Sequence, residues 1–453
     1  MDNNSYLKEM KNYEDADISN ALSWLMSHRH EEHWPPRMAA IEKSITDLLT
    51  VAAGVKQSAR NVKALKVKED QIGWYIYLMT CLTEEITKYE PYQGARIAPI
   101  FKRIGADLHL IKQIGGIEDK VKKMLKSGKN EADSGLFEIL CALMWTRNGW
   151  DVSFIPESSQ KTPELKAVKD GELWFIECKR FSQRSAYSIK EQNAWLAILS
   201  HVTQFLLMHN LILEVTFHKE IHTLAETILL DLLLVRPEAA NGNMKISNAE
   251  YTLKISKINI VQINKHLEKY HVKSGSPFLR ELIGGNPVST GFSTGLFAKY
   301  GSFGPIAGFN QYIMHISNGY AVDWKCDAPE AIASKARDIF HHLKEANDQH
   351  ATGVNAVIHI GIETLDGSEV EMERFEKILH TTAIFDKGST GLNMVYCHFF
   401  QSYALPNVHF TLDETKVGFA EQSFKRNLLE KTFLINTEDL EINNELHWKL
   451  PHP

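Results

Sequence analysis

The sequence predicts an α/β protein whose first part is helical, and three observations lead to this class. Apolar side chains recur at helical spacing from the N-terminus to about residue 129. Beyond that point helix and strand signals alternate along the chain, as they do in α/β proteins. Within this second part, residues 162–180 have the pattern of two short strands joined by a tight turn.

Residues 1–129 are expected to form a helical domain that ends in a lysine-rich segment. The lysines of this segment are Lys120, Lys122, Lys123, Lys126 and Lys129. They could contact phosphate groups, although most runs of this kind are solvated faces or linkers. We expect the domain boundary at residues 127–130, where serine, glycine and asparagine surround Lys129.

The next element is predicted to be a helix over residues 131–148, followed by a strand over 150–155. Its apolar side includes Leu136, Ile139 and Leu143, and Gly149 follows it as a C-terminal stop signal. Glu138 lies beside the apolar stripe. A carboxylate at that position is either a boundary residue paired with a lysine or part of a functional site.

The stretch at 162–180 contains Asp170-Gly171, the strongest short-range signal for a β-hairpin. With these two residues at the centre of the turn, the numbers of cross-strand partners add up to 341. Glu164 then stands directly opposite Glu177. Like charges in such a pair destabilise a sheet unless another group compensates them.

Side-chain alternation places Glu177 and Lys179 on one face of the second strand and Cys178 on the other. Both faces are apolar up to the charged end, which is typical of a central strand covered on both sides. A divalent cation between Glu164 and Glu177 would resolve the charge conflict, and oxygen ligands favour Mg²⁺ or Mn²⁺. The alternative is a surface hairpin whose charged side chains form solvated ion pairs.

Pro163-Glu164, twelve intervening residues and Glu177-Cys178-Lys179 resemble the motif of the PD-(D/E)xK nucleases, with glutamate in place of the usual aspartate. The resemblance implies a restriction-endonuclease-like core, which we assign to residues 130–240. That family often carries an acidic residue on the helix before the first core strand, and Glu138 occupies this place.

The resemblance further implies a metal-dependent endonuclease acting on nucleic acid, with DNA as the expected substrate. Glu164, Glu177 and the backbone carbonyl of Cys178 would hold Mg²⁺ or Mn²⁺, and Glu138 would complete the metal shell. Lys179 would orient the attacking water or stabilise the transition state. Proteins of this kind are similar to bacterial restriction and phage-defence effectors, and cutting both strands would favour a homodimer.

The core is expected to continue through a helix at 189–208, a strand at 211–217 and a helix at 221–234. Arg180 adjoins the motif and is a further candidate for substrate binding. A linker at 236–243 then introduces a C-terminal α/β domain, residues 241–453, without a recognisable catalytic motif.

Composition limits the alternatives. A net charge of −6 does not favour general affinity for nucleic acid, so any binding surface must be a local patch. Five scattered cysteines without a CxxC pair predict a reducing, cytoplasmic setting, and no apolar run is long enough to span a membrane. The second functional hypothesis is a nuclease fold that serves as a binding or scaffold subunit of a larger complex.

Overall fold

The structure, a computed structural model, describes residues 11–29, 34–52, 70–126, 131–156, 162–181, 184–286, 288–421, 423–436 and 445–450. The described part of the N-terminal region is helical, as predicted. Its helices are α1 (Ala16–Ser27), α2 (Trp34–Ala52), α3 (Gln71–Glu84), α4 (Pro91–Ala106), α5 (Leu108–Ile111) and α6 (Ile117–Met124). The expected boundary at 127–130 lies outside the described residues.

The rest of the chain alternates between helices and strands. The further helices are α7 (Ala132–Arg147), α8 (Ala186–His209), α9 (Ile228–Leu234), α10 (Pro237–Ala240), α11 (Ile260–Leu267), α12 (Pro277–Ile283), α13 (Pro329–Lys335), α14 (Phe340–Asn347) and α15 (Ser368–Ile384). The strands are β1 (Asp151–Phe154), β2 (Leu165–Lys169), β3 (Glu172–Phe181), β4 (Leu211–Phe217), β5 (Met244–Ser247), β6 (Tyr251–Lys257), β7 (Val272–Lys273), β8 (Phe292–Gly301), β9 (Tyr312–Cys326), β10 (Ala356–Glu363), β11 (Leu392–Leu405) and β12 (Val408–Ala420). The α/β class is confirmed.

The strands form two mixed sheets. The first sheet has the order β1-β2-β3-β10-β11-β12, and the second has the order β5-β6-β4-β9-β7 with β8 paired to β9. In the first sheet β1, β2 and β3 are antiparallel neighbours, whereas β10 lies parallel to β3 and to β11. The predicted hairpin, β2 and β3, therefore lies between the edge strand β1 and the central strand β10 of the first sheet.

The hairpin has the predicted turn and register. Asp170 and Gly171 both have positive φ, 52° and 80°, which is the backbone of a type I′ turn. Val168 pairs with Leu173 and Leu165 pairs with Ile176, so the partner numbers add up to 341 as expected.

The predicted strand at 211–217 does not continue the sheet that contains the hairpin. Residues 211–217 do form a strand, but β4 belongs to the second sheet, and the neighbour of β3 is β10. Strand β10 is buried along almost its whole length, whereas Glu214 of β4 is exposed. Burial on both faces suits β10 to a central parallel position. Both sheets draw strands from either side of residue 240, so the expected division there does not separate them.

Helix α7 is covered both by the N-terminal helices and by the first sheet. Most of its side chains are therefore buried and apolar. It approaches the sheet closely at Gly361 of β10. A Cβ atom at Gly361 would lie 2.6 Å from the ring of Phe137. Glu138 follows Phe137 directly, so this contact fixes the position of Glu138 relative to the sheet.

Candidate functional site

Strand β3 carries two of the predicted site residues in an ion pair. Lys179 Nζ lies 2.9 Å from Glu177 Oε1, and the Glu177 side chain is completely buried. Cys178 points to the opposite face, where its thiol lies beside Cys141 of α7 and burial raises its pKa. The expected separation of the thiol from the acidic face is confirmed.

The two carboxylate oxygens of Glu177 have different surroundings. Oε1 accepts hydrogen bonds from Lys179 and from Gln349 Nε2, the latter at 2.8 Å. Among the described residues, Oε2 has no hydrogen-bond partner although it is buried. Burial raises the pKa of Glu177 to about 7, and Lys179 opposes this shift. A buried carboxylate oxygen without a donor is a ready ligand for a cation.

Glu164 lies immediately before β2, where the hairpin register continued by one residue places it opposite Glu177. Its backbone carbonyl accepts a hydrogen bond from Ile155 N at 2.9 Å, and its side chain is one-third exposed. Its charge raises the pKa of both Glu138 and Glu177. The predicted acidic pair is thus present, and Glu164 is its solvent-facing member.

Glu138 of α7 is the third carboxylate. It forms a close ion pair with Lys120 Nζ. Burial raises the pKa of Glu138 to about 8, and the negative charges of Glu164 and Glu177 add to the shift while Lys120 opposes it. Lys120 thus links Glu138 and Glu164, and the charge of Glu177 acts on Glu138 from a greater distance.

Lys120 is the residue whose place in the site the sequence did not reveal. The lysine-rich segment was expected to face phosphates at most, yet Lys120 Nζ also lies 3.9 Å from Glu164 Oε2. Of its neighbours, Lys122 pairs with Glu118 at 3.4 Å and Lys126 is exposed, while Lys129 lies outside the described residues. No spacing rule links Lys120 to a glutamate 18 positions later on another helix.

Gln349 is the second residue that sequence reasoning missed. It follows the end of α14, which packs against β3, and it reaches Glu177 across 172 positions of sequence. A single glutamine after a helix carries no chemical signal of its own. Only the parallel pairing of β10 with β3 brings this segment to the motif.

Arg180 is placed differently from the expectation that it binds substrate. Its guanidinium is buried, pairs with Glu363 Oε1 at 2.7 Å and lies over the ring of Phe400. Arg96 of α4 shares the same carboxylate at 2.5 Å and also pairs with Asp133 at 2.7 Å. Arg180 therefore holds the N-terminal helices to the first sheet, because alternation turns it away from Glu177 and Lys179.

A cleft of about 390 Å³ opens at the acidic residues. Its lining residues include Lys120, Lys123, Glu131, Ser134, Glu138 and Glu164. Glu177 and Lys179 are not among the described residues that line it. Within the described ranges, no three histidine, cysteine or acidic side chains lie close enough to one point to hold a metal ion together.

Comparison of the chain with protein families, with curated proteins and with solved structures found no match. A search of the described helices for one long and apolar enough to cross a membrane found none.

The carboxylate oxygens are of the kind that a hard divalent cation prefers. The charges of Glu164 and Glu177 act on Glu138, and one buried oxygen of Glu177 has no hydrogen-bond donor among the described residues. Mg²⁺ commonly binds through one or two carboxylates and completes its shell with water and phosphate oxygens. A site with few protein ligands beside an open cleft agrees with this coordination preference of Mg²⁺.

A larger cavity of about 630 Å³ lies along the second sheet and carries both signs of charge. Its lining includes Glu191, Glu214, Lys254, Asp323, Lys335 and Asp366. Two ion pairs lie in its wall, with Lys335 3.1 Å from Glu191 and Lys254 2.6 Å from Glu214. We place the candidate site at the motif cleft, because Glu138 and Glu164 line it.

Proposed function

We propose that this protein is a metal-dependent nuclease that hydrolyses phosphodiester bonds in nucleic acid, with DNA as the expected substrate. The observation that carries the proposal is Glu177, a fully buried carboxylate with Lys179 on one oxygen and a second oxygen that has no hydrogen-bond partner in the described part of the chain. Two further carboxylates, Glu138 and Glu164, lie within electrostatic reach of it. Such an arrangement is costly for stability and is typical of functional sites.

The architecture around the motif supports the same proposal. A helix with an acidic residue, a strand and a tight hairpin follow one another in the order that the resemblance implies. Strand β10 supplies the next strand of the sheet, with Ile358 beside Glu177 and Ile360 beside Lys179. The charged residues therefore start from an apolar, rigid support, which holds a site in a defined geometry.

Each residue has a role in this proposal. Glu164, Glu177 and the backbone carbonyl of Cys178 would hold Mg²⁺ or Mn²⁺, with Glu138 completing the shell. When bound, such an ion polarises a phosphate and lowers the pKa of a coordinated water. Lys179 orients the attacking water or stabilises the charge that develops on the phosphate. Gln349 keeps the Glu177 carboxylate in one orientation through its 2.8 Å hydrogen bond.

The nucleic acid would bind locally, because the net charge of −6 opposes general attraction to phosphates. Lys120 and Lys123 line the cleft, and exposed Lys126 lies at the end of the same segment. We place the activity in the cytoplasm, in restriction or phage defence, and a homodimer or a partner protein would suit cleavage of both strands.

The test is cleavage of plasmid, linear duplex, single-stranded DNA and RNA with Mg²⁺ or Mn²⁺. We expect Glu177→Gln and Lys179→Ala to reduce the rate about a hundredfold or more, because each removes charge from the reacting centre. Glu172→Gln and Lys166→Ala are matched controls on the same hairpin. Glu172 pairs with Arg426 and Lys166 is exposed, so both variants should keep full activity. Full activity of Glu177→Gln or Lys179→Ala would refute the assignment.

One observation favours the second candidate, a nuclease fold used as a binding or scaffold subunit. Lys120 already neutralises Glu138, so part of the acidic cluster is stable without a metal ion. A chain that binds DNA or a partner protein but cleaves no substrate with any divalent metal would support this function.

A further inference from the structure

Helix α6 places an ammonium group inside the acidic cluster. Lys120 Nζ contacts Glu138 Oε2, lies 3.9 Å from Glu164 Oε2, and belongs to a side chain that is only 18% exposed. Under the proposed function, the same two carboxylates take part in holding a divalent cation. Lys120 therefore occupies the position between these carboxylates that the metal would need.

The formal charges of the cluster show what an exchange would achieve. Three carboxylates, Glu138, Glu164 and Glu177, and two ammonium groups, Lys120 and Lys179, leave one negative charge. That balance repels a phosphodiester. A divalent cation changes the balance to one positive charge, provided that Lys120 stays nearby. The cluster would then attract the anion that it is proposed to cleave.

An open cleft beside Lys120 leaves room for a second position of its ammonium group. Its ammonium lies 5.5 Å from the centre of the Phe154 ring, and the cleft of about 390 Å³ opens beside it. Lys123, almost one turn later on α6, already lines that cleft. Rotation of the flexible four-carbon stem would carry the ammonium from the carboxylates into the cleft without moving the helix.

The helix itself is held in place. Gly115, just before α6, donates a hydrogen bond to Val152 O at 2.9 Å, and its carbonyl accepts one from Phe154 N at 2.8 Å. These bonds fix the start of α6 to strand β1. The position of Lys120 beside the acids is therefore built into the backbone and does not depend on its side-chain contacts alone.

We propose that Lys120 is an exchangeable cation of this site. It neutralises Glu138 and Glu164 before metal binds, and it turns to a phosphate of the nucleic acid once a divalent cation has replaced it. This inference rests on the proposed function and adds a residue from outside the motif that couples metal binding to substrate binding.

The test measures two affinities in the full-length chain and in Lys120→Met. Mn²⁺ binding is measured by calorimetry, and binding of a short DNA duplex is measured with Ca²⁺ as the metal. Without its resident competitor, the Lys120→Met site should bind Mn²⁺ roughly tenfold more tightly. The same variant should bind the duplex more weakly, with the slope of log affinity against log salt reduced by about one unit.

Lys122→Met is the matched control, because Lys122 is an exposed lysine of the same helix that pairs with Glu118. It should leave Mn²⁺ affinity unchanged. Lys120→Gln provides a second uncharged variant with a polar end and should shift both affinities in the same directions as Lys120→Met. Thermal unfolding monitored by circular dichroism is the check that each variant is folded.

The outcomes separate the two proposals. If Glu177→Gln weakens Mn²⁺ binding while both Lys120 variants leave Mn²⁺ affinity and the salt slope unchanged, the exchange is refuted and the metal site stands. If neither Glu164→Gln nor Glu177→Gln alters Mn²⁺ binding, the proposed metal site is refuted and the role of Lys120 falls with it.

Discussion

Glu177 shows how few neighbours control the charge of this site. Its side chain is fully buried, its pKa is raised to about 7 by burial, and Oε1 accepts hydrogen bonds from Lys179 and Gln349. Gln349 is the neutral member of this pair. It cannot supply charge, so its contribution is to hold the carboxylate in one orientation.

We predict that Gln349→Ala lowers the proposed nuclease activity and Mn²⁺ affinity by about ten- to hundredfold, because loss of an orienting hydrogen bond would loosen the proposed metal ligand Glu177. Its effect on the free energy of unfolding should be small, since Gln349 is only half-buried. Cleavage rates, Mn²⁺ calorimetry and urea unfolding measure these effects.

Asp348→Ala is the matched control for this position, because Asp348 is its exposed neighbour. It should change neither activity nor Mn²⁺ affinity. Gln349→Asn keeps the amide on a shorter side chain and should recover less than half of the lost affinity. Wild-type activity in Gln349→Ala would contradict an orienting role.

Among the elements, α6 and β1 form the joint on which the cleft depends. Gly115 lies so close to β1 that a Cβ atom on it would be 2.6 Å from Ser153 Cβ. Gly116 begins the turn into α6 with a φ of 75°, where glycine is favoured. The Gly115-Gly116 pair thus allows α6 to approach the sheet and brings Lys120 to Glu138.

We predict that Gly115→Ala destabilises the protein by about 1–3 kcal/mol, because the added methyl group forces α6 and β1 apart. Activity should fall further than this loss of stability explains, since Lys120 and the cleft wall move with α6. Urea unfolding and cleavage at a temperature well below the unfolding transition separate the two effects.

The clash also provides its own control. Ser153→Gly removes the atom that the new methyl group would meet, so the double variant Gly115→Ala, Ser153→Gly should recover most of the lost stability and activity. Additive losses in the double variant would show that the Gly115–Ser153 contact is not the cause.

Across the whole molecule, a buried polar chain connects elements that are far apart in sequence. Trp145 Nε1 of α7 donates to His359 Nε2 of β10 at 3.0 Å, and His359 Nδ1 lies 3.0 Å from His398 Nε2 of β11. Glu414 of β12 then accepts hydrogen bonds from the backbone N–H groups of residues 434–436. The hydrogen bonds tie the site helix to β10 and β11, and His398 Nδ1 lies 3.9 Å from Glu414 Oε1, beyond hydrogen-bond distance.

Because Trp145 donates to Nε2, His359 carries its proton on Nδ1 and is neutral. Burial lowers the pKa of His359 to about 3, and it also lowers that of His398. In the unfolded chain histidine binds a proton below about pH 6.5, whereas folded His359 does so only near pH 3. Stability is therefore lost as the pH falls below 6.5.

We predict that the folded state loses about 2 kcal/mol between pH 7 and pH 5 from His359 alone. Urea unfolding at both pH values measures this loss. His359→Gln keeps an acceptor for Trp145 and should lose less stability over the same interval. His109→Gln changes an exposed histidine and should show the wild-type difference. An unchanged pH difference in His359→Gln would contradict the prediction.

The sequence alone determined the local geometry of the site. Asp170-Gly171 specifies the turn, the turn specifies the register, and the register sets Glu164 opposite Glu177 with Cys178 facing away. These are short-range consequences of backbone conformation and side-chain alternation, so they can be worked out from neighbouring residues. The helix that carries Glu138 followed from its apolar positions in the same way.

Only the tertiary structure decided which distant groups complete the site. It paired β3 with β10 instead of β4, brought Lys120 and Gln349 to the acids, and buried Arg180 against Glu363. None of these contacts leaves a periodic or local signal in the sequence. They depend on which of two apolar strands fills the centre of the sheet, and that choice is made by packing across the whole molecule.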